Sequence, residues 1–177
     1  MKTILITGAT SGIGLAAAKK LANSKNNLIL CGRRQHKLDE ISNELSKITN
    51  VLSLRFDISD KKEVNKVLEN LSEKFNSIDI LINNAGNAHG LDTIQDGSLD
   101  DWDNMIDSNV KGLLYVSRVI IPKMIEQESG HIINIGSLAG REVYEKGNIY
   151  CATKHAVNAI SKAMRIDLNK TGIKVSE

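Results

Sequence analysis

The chain opens Met1-Lys2-Thr3-Ile4-Leu5-Ile6-Thr7-Gly8-Ala9-Thr10-Ser11-Gly12-Ile13-Gly14, and this stretch decides the fold. Thr3–Thr7 is an almost continuous β-rich run, as expected of a strand whose two sheet faces are both covered by helices. Glycines follow at positions 8, 12 and 14, and an Ala-rich helical pattern begins behind them. Glycine lets the chain turn tightly and lets backbone N–H groups approach an anion closely. The helix N-terminus adds a dipole that favours the same anion. The spacing is G-x-x-x-G-x-G, whereas the general dinucleotide fingerprint is G-x-G-x-x-G. A glycine turn that only packs strand on helix would have the same letters. Its place at the first junction of a βαβ series selects the nucleotide reading, with Gly8, Thr10, Ser11, Gly12, Ile13 and Gly14 as the phosphate loop.

Outward from that loop, strand-like runs at Thr3–Thr7, Asn27–Cys31, Val51–Arg55, Asp79–Asn83 and His131–Gly136 alternate with helical patterns. The helical patterns cover Gly12–Ser24, His36–Ile48, Lys61–Phe75, Leu99–Glu128 (two helices, or one broken) and Tyr150–Thr171. Ser59-Asp60 offers an N-cap to the third of them. Such alternation predicts an α/β fold with a doubly wound, Rossmann-type parallel sheet, in one domain over residues 1–177. Ile173–Ser176 reads as a sixth strand, and the sequence stops one residue beyond it, so the expectation is a fold cut off after that strand begins.

Composition excludes several classes. The 177 residues carry 23 basic and 21 acidic side chains, intermixed, for a net charge of +2, and no basic arm marks a nucleic-acid or membrane partner. No apolar run is long enough for a signal-peptide core or a bilayer span, so a cytoplasmic protein is expected. Cys31 and Cys151 form no CxxC pair. His36, His89, His131 and His155 have no ligand spacing, so no metal is expected. Val110, Leu113, Leu114, Val116, Val119 and Ile120 point to more than one helix face, which predicts a helix-mediated homo-oligomer, a dimer or tetramer.

The second strand ends Leu30-Cys31-Gly32-Arg33-Arg34, without the acid that holds a ribose 2′-OH in NAD sites. Two guanidinium groups there suit a 2′-phosphate, so NADP(H) is expected over NAD(H). Further along, Tyr150 and Lys154 stand at i and i+4, one helix face apart by a single turn. A free tyrosine titrates near ~10, and a neighbouring ammonium lowers that value towards useful proton exchange. Ser137 follows the fifth strand, at the carboxyl end where ligands sit in open α/β sheets, and its hydroxyl suits a carbonyl oxygen.

Taken together, TGATSGIG at 7–14, Asn83-Asn84-Ala85-Gly86, Ser137 and the YxxxK at 150–154 resemble the short-chain dehydrogenase/reductases, in the family's order and over essentially the whole chain. The resemblance implies that Tyr150 exchanges the proton with the substrate oxygen, that Ser137 polarises that carbonyl, and that Lys154 binds the nicotinamide ribose and tunes Tyr150. It further implies that Asn109 helps hold a water in the proton relay, that Asp57 meets the adenine, and that Asn84, Ala85 and Gly86 line the cofactor. Cys31–Arg34, Asn84–Gly90 and Gly147–Tyr150 are similar to the NADP-dependent 3-hydroxy acid dehydrogenases. These also act on serine and allo-threonine and reduce malonic semialdehyde. The implied partner is a small carbonyl or hydroxy acid. A 3-oxoacyl-carrier-protein reductase and a non-catalytic nucleotide-binding protein stay open as alternatives. Family members continue into a Pro-Gly loop, lid helices and a last strand; with Pro122 as its one proline, this chain is expected to lack them.

Overall fold

A computed structural model describes all 177 residues. Six strands, β1 (Lys2–Thr7), β2 (Asn26–Gly32), β3 (Asn50–Arg55), β4 (Ile80–Asn83), β5 (Gly130–Asn134) and β6 (Ile173–Ser176), form one sheet in the order β3-β2-β1-β4-β5-β6. Every neighbouring pair is parallel. Helices α1 (Gly12–Leu21), α2 (Gln35–Leu45), α3 (Lys61–Leu68), α4 (Glu73–Asn76), α5 (Leu99–Ile106), α6 (Leu113–Glu126) and α7 (Asn148–Asp167) lie between them. None is long and apolar enough to cross a membrane.

The period-2 side-chain alternation of the strands splits the core in two. Ile4, Ile6, Leu28 and Leu30 meet Ala18, Leu38, Ile41 and Leu45 of α1 and α2. Leu5, Ile29, Leu81 and Ile132 face the other way, against Val64, Val116, Ile120, Met124 and Val157 of α3, α6 and α7. These side chains are almost wholly buried, and each contributes on the order of 1.5–3 kcal/mol. The strand order reverses between β1 and β4, so a crevice opens at their carboxyl ends, where all the motif loops emerge.

Three helical stretches differ from the sequence pattern. The run over 61–75 breaks because Asn70 donates to the Lys66 carbonyl (2.8 Å) and Lys123 of α6 donates to that of Leu68 (3.0 Å). These side chains satisfy carbonyls that a continuing helix would have used. The run over 99–128 is continuous but holds a π-helical turn at Asp107–Gly112 between α5 and α6. Single π turns of this kind occur inside α-helices, frequently at functional sites. The last helix stops at Asp167, before Gly172 turns left-handed (φ +78°) against the Glu128 carbonyl to start β6.

Candidate active site

The phosphate loop is fastened to the fourth strand from below. The Thr7 hydroxyl accepts from the Asn84 and Ala85 N–H groups, both at 3.0 Å. In return the Asn84 amide donates to the carbonyls of Thr7 (2.9 Å) and Gly8 (3.1 Å). Gly8 turns with φ +66°, and a Cβ there would lie 2.8 Å from the Ala85 Cα. Gly14 sits beneath the loop, where a Cβ would overlap the Gly8 carbonyl and the Asn84 amide, so it supports the cavity without lining it.

Above this floor lies a cavity of about 780 Å³. Helix α1 opens onto it with Gly12 and Ile13, with no side-chain cap from Ser11 and no acid in its first turn. Its first N–H groups are therefore left for an anion. Gly12 has φ +54°, and nothing stands within 4 Å of where its Cβ would be. Arg34 donates to the Thr10 and Ser11 hydroxyls at 2.9 and 3.0 Å, which binds a guanidinium to the loop itself. Arg33 is mostly exposed and pairs with Asp57 at 3.3 Å. Burial pushes the Asp57 carboxyl up, but two hydrogen bonds from Ser59 and the Arg33 cation outweigh it and hold it below the usual range. An uncapped helix start, an open glycine and two guanidiniums with no acid at the end of β2 fit a phosphorylated dinucleotide.

Ser137, Tyr150 and Lys154 line the same cavity on its β5 side, and Asn84, Ala85 and Gly86, after β4, line it between them and the phosphate loop. The Ser137 oxygen caps a short 3-10 turn by accepting from the Ala139 N–H (3.2 Å), which leaves its own proton for another acceptor. Lys154 donates to the Ile135 carbonyl at 2.8 Å, and its Nζ stands 6.0 Å from the centre of the Tyr150 ring. Burial lowers the Lys154 ammonium below its usual range, with Glu177 opposing that shift.

Asn109 is buried in the π turn and does not reach the cavity wall. Its carboxamide accepts from the Asn87 N–H (2.8 Å) and the Ser108 hydroxyl (3.1 Å) and donates to the Asn87 carbonyl (2.8 Å) and Thr153 (3.1 Å). Two lone pairs and two protons of the carboxamide are thereby used. The side chain ties the loop after β4 to α7.

A second set of polar residues does the same deeper down; the resemblance pointed to Asn83 within Asn83–Gly86 as part of a sheet-stabilising stretch, whereas Ser117, Asn134 and Ser161 were missed. Asn83 and Asn134 are register partners on β4 and β5. The Asn83 amide donates to Asn134 (2.9 Å) and Ser117 (3.0 Å), and the Asn134 amide donates to Ser161 on α7 (2.9 Å). Asparagine is depleted in strands, and two of them at the ends of neighbouring strands, both buried, were the available signal. Thr153 was missed too; it donates to the Tyr150 carbonyl (2.8 Å) while accepting from Asn109.

A second cavity, of about 490 Å³, adjoins the first and shares Ala88 and Tyr150 with it. The segment after β4, helix α5 and the start of α7 with the segment before it line it, and Asn148 donates to the Asp92 carbonyl across it (2.9 Å). The Tyr144 ring lies over Gly147 there, where any Cβ would overlap it. Burial, then Cys151 and Tyr150, push the Tyr144 hydroxyl above its usual range.

The profile of the short chain dehydrogenase family matches residues 2–177. An NADP-dependent 3-hydroxy acid dehydrogenase of Salmonella typhi is 40% identical over 174 residues, which are 98% of this chain and 69% of that protein. An uncharacterized oxidoreductase of Staphylococcus aureus is 41% identical over 175 residues, 99% of this chain and 75% of that one. Among solved structures, the closed form of a serine dehydrogenase complexed with NADP+ superposes with a TM-score of 0.94 at 40% identity, covering 98% of this chain and 69% of that one.

Proposed function

The chain belongs to the short-chain dehydrogenase family, and from that premise we propose an NADP(H)-dependent oxidoreductase that interconverts a small 3-hydroxy acid and its 3-oxo partner. Residues 1–177 carry its nucleotide-binding and catalytic residues within one sheet. The observation that carries this reading is one cavity with two chemically different ends. Arg33, Arg34 and the uncapped α1 N-terminus stand at one, and Ser137, Tyr150 and Lys154 at the other.

In this reading Arg33 and Arg34 hold the 2′-phosphate, Thr10 to Ile13 the pyrophosphate, Asp57 the adenine side, and Asn84 to Gly86 the wall beside it. Lys154 leaves the Ile135 carbonyl to hold the nicotinamide ribose. The bound cofactor supplies or takes up the hydride, and the protein handles the proton. In the reducing direction the Ser137 hydroxyl donates to the substrate oxygen and draws negative charge onto it. The Tyr150 O–H delivers its proton to that oxygen as the new C–H bond forms, leaving a phenolate that the Lys154 ammonium stabilises. Oxidation runs the same transfer backwards, with the phenolate as base. Asn109 and Thr153 keep Tyr150 in register with the loop that faces it.

The test is NADPH formation from NADP+ and 3-hydroxypropionate or serine, with Tyr150→Phe alongside. Turnover by the wild type that vanishes in the variant is expected. Equal turnover by both would remove Tyr150 from proton transfer, and activity confined to acyl-carrier thioesters would shift the substrate reading to a 3-oxoacyl reductase.

A further inference from the structure

The second cavity contains one lysine or arginine, Lys146, and it stands in an unusual backbone conformation. Its φ is +63°, a left-handed value that L side chains adopt only at a cost. The turn cannot relax, because the next residue, Gly147, is packed under the Tyr144 ring. Lys146 forms no ion pair, while four other basic residues of the chain do. It lies four residues before Tyr150, the group that the two cavities share.

The charges around this space are unevenly placed. Asp92 and Asp101 both point at Gly90; from the position of a Cβ there, their nearest oxygens would be 3.1 and 3.6 Å away. Neither acid has a cationic partner, so the wall formed by the segment after β4 and the start of α5 repels anions. His89 lines that same segment, with its backbone N–H directed to the Met105 sulfur (3.5 Å). The single permanent positive charge among the lining residues is Lys146, in the stretch Tyr144 to Asn148.

We propose that Lys146 is a specificity-determining residue that anchors the substrate's carboxylate. The assignment rests on the reading of Tyr150 as the group that meets the substrate oxygen. A substrate oxidised or reduced beside Tyr150 extends from the shared wall into the second cavity. A 3-hydroxy acid carries its carboxylate two carbons from the reacting carbon, so the anion falls inside that space. Asp92 and Asp101 turn it away from the Gly90 side, and Lys146 meets it on the other. The same field sets the order of the substrate's groups, with the carboxylate towards the α7 wall, and neutral alcohols gain nothing from it.

Trp102, the only tryptophan in the chain, lines this cavity and reports its occupancy without any turnover. The experiment titrates Trp102 emission with 3-hydroxypropionate and with its uncharged amide, with and without NADP+. In the wild type the acid binds about tenfold tighter than the amide, and salt narrows the difference. Lys146→Gly keeps the left-handed turn available and removes the charge, so the acid's affinity falls about tenfold to that of the amide while the amide is unaffected. Lys146→Arg retains most of the preference. Undiminished acid binding by Lys146→Gly, equal loss of acid and amide, or no preference for the acid in the wild type would each overturn the proposal. A Lys146-dependent acid preference without any NADP+ reduction would keep Lys146 as a carboxylate-binding residue but overturn the oxidoreductase reading, and with it the role in substrate specificity.

Discussion

The phosphate-loop end of the cleft is built from backbone, whereas the Tyr150 end is built from side chains held in place by other side chains. At the first, glycine torsions, a bare helix start and the Thr7–Asn84 clasp do the work within a few residues of the sheet switch point. At the second, Tyr150 depends on Thr153, Thr153 on Asn109, and Asn109 on a π turn and a loop some twenty residues away in sequence. The consequence is an asymmetry in how each end fails. A change at the first end alters what is bound, and a change beneath the second alters how α7 sits.

Tyr150→Phe should give the largest effect, since it removes the proton but neither the ring nor the helix. Turnover should fall on the order of 10²–10⁴-fold with NADPH binding retained. A parallel loss of binding would mean that the two ends are not separable. Asn109→Ala comes next, because it strips four hydrogen bonds and leaves the partly buried Asn87 N–H and carbonyl without these partners. A stability loss of about 2–4 kcal/mol is expected by chemical denaturation, with the catalytic rate falling more than the affinity for NADPH. An unchanged midpoint would show that the clamp is dispensable.

Arg34→Ala should weaken NADPH about 10- to 100-fold while leaving NADH nearly untouched, as measured by titration of each. Arg33→Ala should do the same more weakly, since Arg33 is exposed and already shared with Asp57. The smallest effect concerns Asp57. Its folded-state carboxyl titrates below its ordinary range, so its contribution to stability is present above about pH 4 and is lost as pH falls through the depressed value. Asp57→Asn should therefore lower stability by under about 1 kcal/mol at neutral pH and leave it unchanged in strong acid. A difference that grows on acidification would reverse that sign.

The contrast also explains what could be read in advance. Strand and helix order, the sheet class and the glycine loop were legible because each is written in a local period or a local turn. The Asp60 cap was legible too, and it accepts from the N–H groups of Lys62 and Glu63. The break after Leu68 was hidden, since Lys123, from a helix fifty-five residues on, helps to end that helix. The π turn left no trace in the apolar pattern, which continues through it. Asn109 stood out by resemblance, but the exhaustion of its carboxamide on Asn87, Ser108 and Thr153 is a tertiary fact. Gly14 read as a cofactor contact, and the fold places it one layer below, as a spacer.

The central claim is a cavity with an NADP(H)-selective end, and paired fluorescence titrations of the purified chain with NADPH and NADH test it most directly. Saturable binding that favours NADPH is expected, with Arg34→Ala removing the preference and keeping the fold. Equal affinity for both cofactors, or a preference for NADPH that survives the loss of both arginines, would contradict it.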